Sequence, residues 1–187
     1  MTALTWTDDL ALQHPQVDAT HEEFVALLAA THTALDGPDS MLLGHFETLV
    51  AHTVEHFAQE ERWMQATGFA PDNCHTLQHK AVLGVMQACA KRAQPVVPVP
   101  ALAMDGVLDS GANTADDTED DVPDFEPLRM AVGELANWFP QHAQMMDAAL
   151  VQHLALVGFD AATGLCSAHV VGADGQPMAG CGAASCG

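Results

Sequence analysis

The chain has no tyrosine and only five lysines and arginines among 187 residues, against 25 aspartates and glutamates, a formal net charge of −20. A surface so poor in positive charge repels phosphate backbones and anionic membrane surfaces, so neither nucleic acid nor a membrane is an expected partner. No apolar run approaches the roughly 20 residues of a membrane span. The opening MTALTWTDDLALQHPQ carries acid where a secretion signal carries base, which makes a cytoplasmic protein the expectation. The five cysteines, Cys74, Cys89, Cys166, Cys181 and Cys186, are odd in number and form no dense framework, and they read as mainly reduced thiols. What the chain has in quantity is histidine, eleven residues, the commonest metal-binding side chain in proteins.

Hydrophobic residues make up 49% of the chain, enough for a core. Apolar residues recurring at three and four predict helices over about 21–35, 40–67, 72–93 and 127–157. Asp36-Gly37 stops the first, Gly68 the second and Gly158 the fourth, while Pro71 and Pro95 bound the third. Four helices of these lengths argue for an all-α, up-and-down four-helix bundle across residues 1–157. One link is long: residues 94–126 begin QPVVPVPALAM and continue DGVLDSGANTADDTEDDVPDFE, with nine acidic residues and no base. Such a segment buries too little to order itself and reads as a flexible acidic insertion between the third and fourth helices. It lacks the central glycine and spaced oxygens of a calcium loop. Residues 158–187, rich in glycine and alanine, read as an irregular tail, either disordered or holding a small hairpin at ADGQ.

The stretch AHTVEHFAQEERW, residues 51–63, sets His52, His56 and Glu60 four apart on one helix face, beside Trp63. Eleven randomly placed histidines produce roughly 0.6 pairs four apart, so the pairs His52/His56 and His75/His79 carry little weight singly. Weight comes from the set: His21 after VDAT, His56 with Glu60, His75 with His79 in CHTLQH, and His142 with Asp147 in WFPQHAQMMD. Each helix supplies a candidate ligand, which is how bundles build metal sites in their cores. Two six-coordinate ions need about twelve positions. Five imidazoles fill five, two carboxylates bridging both ions fill four, and a bridging oxide or hydroxide fills two, leaving about one open for a small ligand. Ligand type alone leaves zinc, copper and nickel beside iron.

In order and spacing, VDATH, HFAQEERWMQATGF, HTLQH and WFPQHAQMMD resemble the ligand motifs of the hemerythrin family, most closely its bacterial members. The resemblance covers about residues 5–93 and 127–156, and Trp6 resembles an N-terminal tryptophan common in those members. It implies an oxo- or hydroxo-bridged pair of iron ions that binds dioxygen reversibly. His75, His79 and His142 would hold one iron, His21 and His56 the other, and Glu60 and Asp147 would bridge. The long linker and the cysteine-bearing tail depart from the family pattern.

Two local features bear on that ligand set. Asp147 lies five residues after His142, about 140° around a regular helix, so a π-type bulge or kink is needed to bring both to one side. Pro140, which removes a helical N–H, stands just before. His52 lies one turn from the pair His56 and Glu60 and is expected to hydrogen-bond a ligand or a bundle neighbour instead of binding metal. His14, His32, His45, His153 and His169 read as surface residues or supports, and Phe57, Met64, Trp63, Trp138, Met145 and Met146 as an apolar lining.

The expected function is an oxygen carrier, store or sensor, not an enzyme, with the chain a monomer. A diiron oxidase or peroxidase is the alternative, but bundle oxidases take four glutamates and two histidines, and here imidazoles outnumber carboxylates five to two. A sensor would act on a separate, unidentified protein partner, since no output domain is visible.

Overall fold

The computed structural model describes residues 3–69, 73–95 and 122–166. After a single 3-10 turn at Asp8–Leu10, helix α1 spans Pro15–Ala34, six residues earlier than its apolar repeat suggests. Its start is built from polar groups that hydrophobic patterning does not register. His14 Nδ1 accepts the Val17 N–H at 3.4 Å, and the Asp18 carboxylate accepts the N–H groups of Leu12 and His14 at 2.6 and 3.1 Å. Pro15 occupies the first turn, where its missing N–H costs nothing.

Helix α2 spans Asp39–Thr67 and closes on Gly68 at φ +70°, a left-handed conformation that suits glycine. Helix α3 spans Cys74–Ala93, capped by Asn73, whose side chain accepts the Thr76 N–H at 2.9 Å. The fourth rod is composite: α4 over Glu126–His142, a π-helical turn over Ala143–Asp147, then α5 over Ala148–Leu156. Successive helices pack on one another and α1 packs on α4, which closes a ring of four. The short links at 35–38 and 68–73 make their neighbours antiparallel.

Two apolar clusters fill the interior. One gathers Phe24, Leu28, Leu42, Phe46, Leu49, Met86, Leu128, Val132 and Phe139, with Trp6 packed against it. The other gathers Val17, Trp63, Met64, Phe69, Leu150 and Leu154. Full burial of each large side chain is worth about 1.5–3 kcal/mol. Along every helix that spans the gap, buried polar residues lie between the clusters: His21 on α1, His56 and Glu60 on α2, with Phe57 beside them, and His142 and Asp147 on the fourth rod. Hydrophobic cohesion on both sides thus holds a polar layer that could not hold itself.

The linker and tail are described only at their edges. Asp124 accepts from the Arg92 guanidinium at 2.6 Å and donates its N–H to the Arg92 carbonyl at 2.8 Å, which brings the two ends of the insertion together. The acidic run itself lies outside the described residues. Past α5, strands β1 (Phe159–Asp160) and β2 (Leu165–Cys166) form an antiparallel hairpin, with Gly164 at φ +70°. A hairpin therefore stands earlier than the expected ADGQ, which lies outside the described residues. Among the described cysteines, Cys89 and Cys166 are free thiols and Cys74 is disulfide-bonded, an exception to the expectation of mainly reduced cysteines. Cys74 is partly exposed at the first position of α3. Among the described residues, no helix is long and apolar enough to cross a membrane.

Candidate metal centre

All seven sequence-selected residues meet between the two apolar clusters. Glu60, His75, His79, His142 and Asp147 form one group with ligand atoms within 4.8 Å of one another, and His21, His56, Glu60 and Asp147 form a second. The two carboxylates belong to both groups. Glu60 turns Oε1 to His56 Nε2 at 3.3 Å, and Oε2 to His75 and His79 Nε2 at 3.3 and 3.2 Å. Asp147 turns Oδ2 to His21 Nε2 at 3.2 Å, and Oδ1 to His75 and His142 Nε2 at 2.8 and 3.2 Å. Each carboxylate thus presents one oxygen to a two-histidine group and the other to a three-histidine group.

The π turn decides this arrangement. With i→i+5 bonding in place of i→i+4, residues 143–147 take up the extra residue between His142 and Asp147 and bring both side chains inward. Pro140 lies inside α4, where it deprives the regular ladder of a donor next to the point at which it widens. The same turn leaves Met145 66% exposed, which corrects its placement in the apolar lining. Phe57, Met64 and Trp63 are buried as expected, whereas Trp138 and Met146 are only partly buried.

Every Nε2 of the five histidines and every oxygen of the two carboxylates is buried without a hydrogen-bond partner. Their close approaches are not aligned as hydrogen bonds. The physical reading is that the lone pairs converge on points between the side chains, and a cation there removes the cost of burying them unpaired. Borderline divalent metals suit an imidazole-carboxylate donor set of this kind.

Charge within the cluster is strongly coupled. Burial and the Asp147 charge both favour a neutral Glu60, yet the contacts of His56 and His75 outweigh them and hold its carboxyl below the usual range. Burial likewise opposes ionisation of Asp147, and contacts from His142, His21 and His75 overcome it. Burial disfavours the charged form of His75, but its contacts with Asp147 and Glu60 prevail and push it up to about 9. His56 is raised against burial by Glu60, while burial leads in lowering His79. Aromatic rings wall the cluster: Phe57 stacks on His79 at 3.7 Å, Phe139 meets His21 edge-on at 5.1 Å, and Trp138 stacks on His142 at 4.4 Å.

Three of the other described histidines make contacts that brace the helices around the cluster. His52 places Nε2 3.2 Å from the Thr20 carbonyl, one residue before His21, and Nδ1 3.7 Å from Glu23. It therefore contacts a bundle neighbour, one of the two roles expected of it. His14 caps α1 and sits 5.7 Å from Trp63. His153 lies 3.2 Å from the Thr67 carbonyl, and His45 is exposed. His169 lies outside the described residues. Sequence reading passed over Gln78, whose Oε1 lies 3.0 Å from His142 Nδ1. The signal was its place between two histidines in HTLQH, on the face they share.

A helical bundle with a buried layer of five imidazoles and two carboxylates in its core defines a bundle protein with a metal-capable centre. The chain is 30% identical over 161 residues to a bacteriohemerythrin of Ralstonia nicotianae, an alignment covering 86% of this chain and 96% of that protein. It is 31% identical over 81 residues to a bacteriohemerythrin of Pseudomonas paraeruginosa, covering 43% of this chain and 53% of the relative. With a bacteriohemerythrin of Stenotrophomonas maltophilia the identity is 27% over 84 residues, 44% of this chain and 55% of the relative. No family profile and no solved structure matches the chain. The chain belongs to the hemerythrin family. It is read accordingly as a binding protein and not an enzyme.

Proposed function

We propose that the chain binds dioxygen reversibly at a pair of iron ions held by His21, His56, Glu60, His75, His79, His142 and Asp147. The observation that carries the reading is the disposition of Glu60 and Asp147, each with one oxygen toward each histidine group. In this reading Glu60 and Asp147 would be shared by both ions, His75, His79 and His142 would hold one of them, and His21 and His56 would hold the other, which with fewer ligands would have room for a small molecule. The iron pair, when bound, supplies that room and the electrons that dioxygen draws on.

The protein's own residues then do three things. The five imidazoles bind through Nε2 as neutral donors, which supply less negative charge than a carboxylate-rich set. Phe57, Phe139 and Trp138 exclude water from the rings they cover. His52 ties α2 to the α1 backbone beside His21. Family membership supports the same reading. In the same reading the chain works as a cytoplasmic monomer, as its sequence leads one to expect.

The test is an anaerobic optical titration of iron-loaded protein, with iron counted per chain. About two irons and an absorption band that appears with oxygen, vanishes under argon and returns with air support the reading. One tightly bound ion, or irreversible bleaching, overturns it.

A further inference from the structure

Helices α3 and α4 carry three of the five clustered histidines, yet the chain between them is the longest link in the bundle. Residues 94–125 separate them, against 35–38 and 68–73 for the other two links. A long link does little to set the register of the helices it joins. A side-chain contact crosses this gap at the level of the metal centre: Gln78 of α3 places Oε1 3.0 Å from Nδ1 of His142.

That contact has no counterpart at the other histidines. The Nδ1 atoms of His21, His56, His75 and His79 are buried without a hydrogen-bond partner. The nearest approach among them, His79 Nδ1 to Glu61, is 3.6 Å, too long for a hydrogen bond. Trp138 stacks on the His142 ring at an interplanar angle of 25° and so fixes its plane. Stacking does not distinguish the two ring nitrogens. Gln78 does, because an amide oxygen only accepts. Its contact requires the ring proton on Nδ1 and leaves the Nε2 lone pair free on the side where Asp147 Oδ1 lies 3.2 Å away. The opposite amide orientation would present an N–H to Nδ1, force the proton onto Nε2 and block metal binding there.

We propose that Gln78 is the positioning residue that holds His142 in its Nδ1–H form, with Nε2 free for a divalent transition metal, and that it sets the α3–α4 register at the site. The inference rests on the seven residues forming a metal centre. It adds that one neutral amide, on a different helix from the ring it orients, determines how well that centre forms.

The test uses the full chain with zinc and cobalt as probe metals. Metal affinity is read by competition with a chromophoric chelator, and the His142 ring protons by long-range proton-nitrogen NMR of the zinc form. Gln78→Leu, close in volume but unable to accept, is expected to weaken metal binding about 10–100-fold and to lose the protected Nδ1 proton. Gln78→Glu, which accepts more strongly, is expected to keep that proton and restore affinity to at least the unsubstituted level. If Gln78 only fills space, leucine keeps the affinity and the partly buried charge of glutamate gives no gain over leucine. Either that result or equal weakening in both variants overturns the proposal. Should Gln78→Leu fail to fold, Gln78→Glu decides alone: a retained Nδ1 proton with undiminished affinity supports the proposal, and loss of either sinks it. Failure of the unsubstituted chain to bind zinc or cobalt is a separate outcome, which overturns the metal-centre reading itself.

Discussion

His142 Nε2 and Asp147 Oδ1 lie 3.2 Å apart although they stand five positions apart on one helical rod. A regular helix would set them about 140° apart. The π turn over Ala143–Asp147 closes that angle. Asp147 then faces His21 on α1 and His75 on α3 as well as His142, so one side chain joins three of the bundle's four rods.

Asp147→Asn should therefore separate the two histidine groups without unfolding the bundle. The amide keeps the size of the carboxylate but loses one charge and one acceptor oxygen. Bound metal, counted by elemental analysis, is expected to fall from about two ions per chain to one or fewer. Retention of two ions at unchanged affinity would remove Asp147 from the bridge.

His56 and His52 stand one turn apart on α2 but differ in what they face: His56 meets Glu60, and His52 meets the Thr20 carbonyl. His56→Ala is expected to abolish two-metal loading and the metal-dependent rise in melting temperature. His52→Leu should keep both ions and lose the α1–α2 hydrogen bond, worth about 0.5–1.5 kcal/mol, together with the approach to Glu23, part of it offset by apolar contact with Phe24. Metal loss from the His52 variant with retention in the His56 variant would show that the register of α2 is misassigned by a turn.

The metal-free and metal-bound chains should respond oppositely to alkaline pH. His75, raised from 6.5 to about 9, contributes stability that is complete below pH 6.5 and is lost as pH rises toward 9. Glu60 and Asp147, both depressed, contribute stability above their ordinary pKa values of 4.5 and 3.8 and lose it as pH falls below them. On these three groups the chelated protein should lose stability below about pH 4.5 and again as pH rises toward 9, while His79, held low by burial, adds a loss as pH falls below 6.5. Metal competes with protons for the same donor atoms, so the rise in melting temperature with saturating zinc should grow from pH 6 to 9. Calorimetry across that range checks both, and a chelated form that gains stability toward pH 9 contradicts the assignment.

Replacing residues 97–120 with a short glycine-serine linker should leave metal content unchanged. None of the seven clustered residues lies there, and Arg92 with Asp124 already joins the two ends. Closing a loop several-fold shorter should stabilise the bundle by about 1 kcal/mol. Loss of metal on this replacement, measured at equal folded fraction, would assign the insertion a part in the site.

How much of this was legible varies with how local the interaction is. The helical period alone puts His52, His56 and Glu60 on one face of α2 and His75 and His79 on one face of α3, and the resemblance to the hemerythrin motifs singled out His56 with Glu60. The start of α1 was not legible, because His14 and Asp18 cap it through hydrogen bonds that no apolar repeat records. Met145 looked like lining and is exposed, because the π turn shifts the face that residue 145 occupies. Gln78 was missed because its partner is 64 positions away.

The sequence by itself determined four helices and the polar residues that interrupt their apolar faces, since both follow from a repeat of 3.6 residues per turn acting over a few neighbours. It also exposed a conflict, with Pro140 and a five-residue spacing where a regular helix wants four. Only the tertiary structure decided how that conflict resolves. A π turn is unfavourable in an isolated helix. Here the clusters around Phe139 on one side and Leu150 on the other anchor the helix ends that flank it, and between them Asp147 meets histidines from α1 and α3.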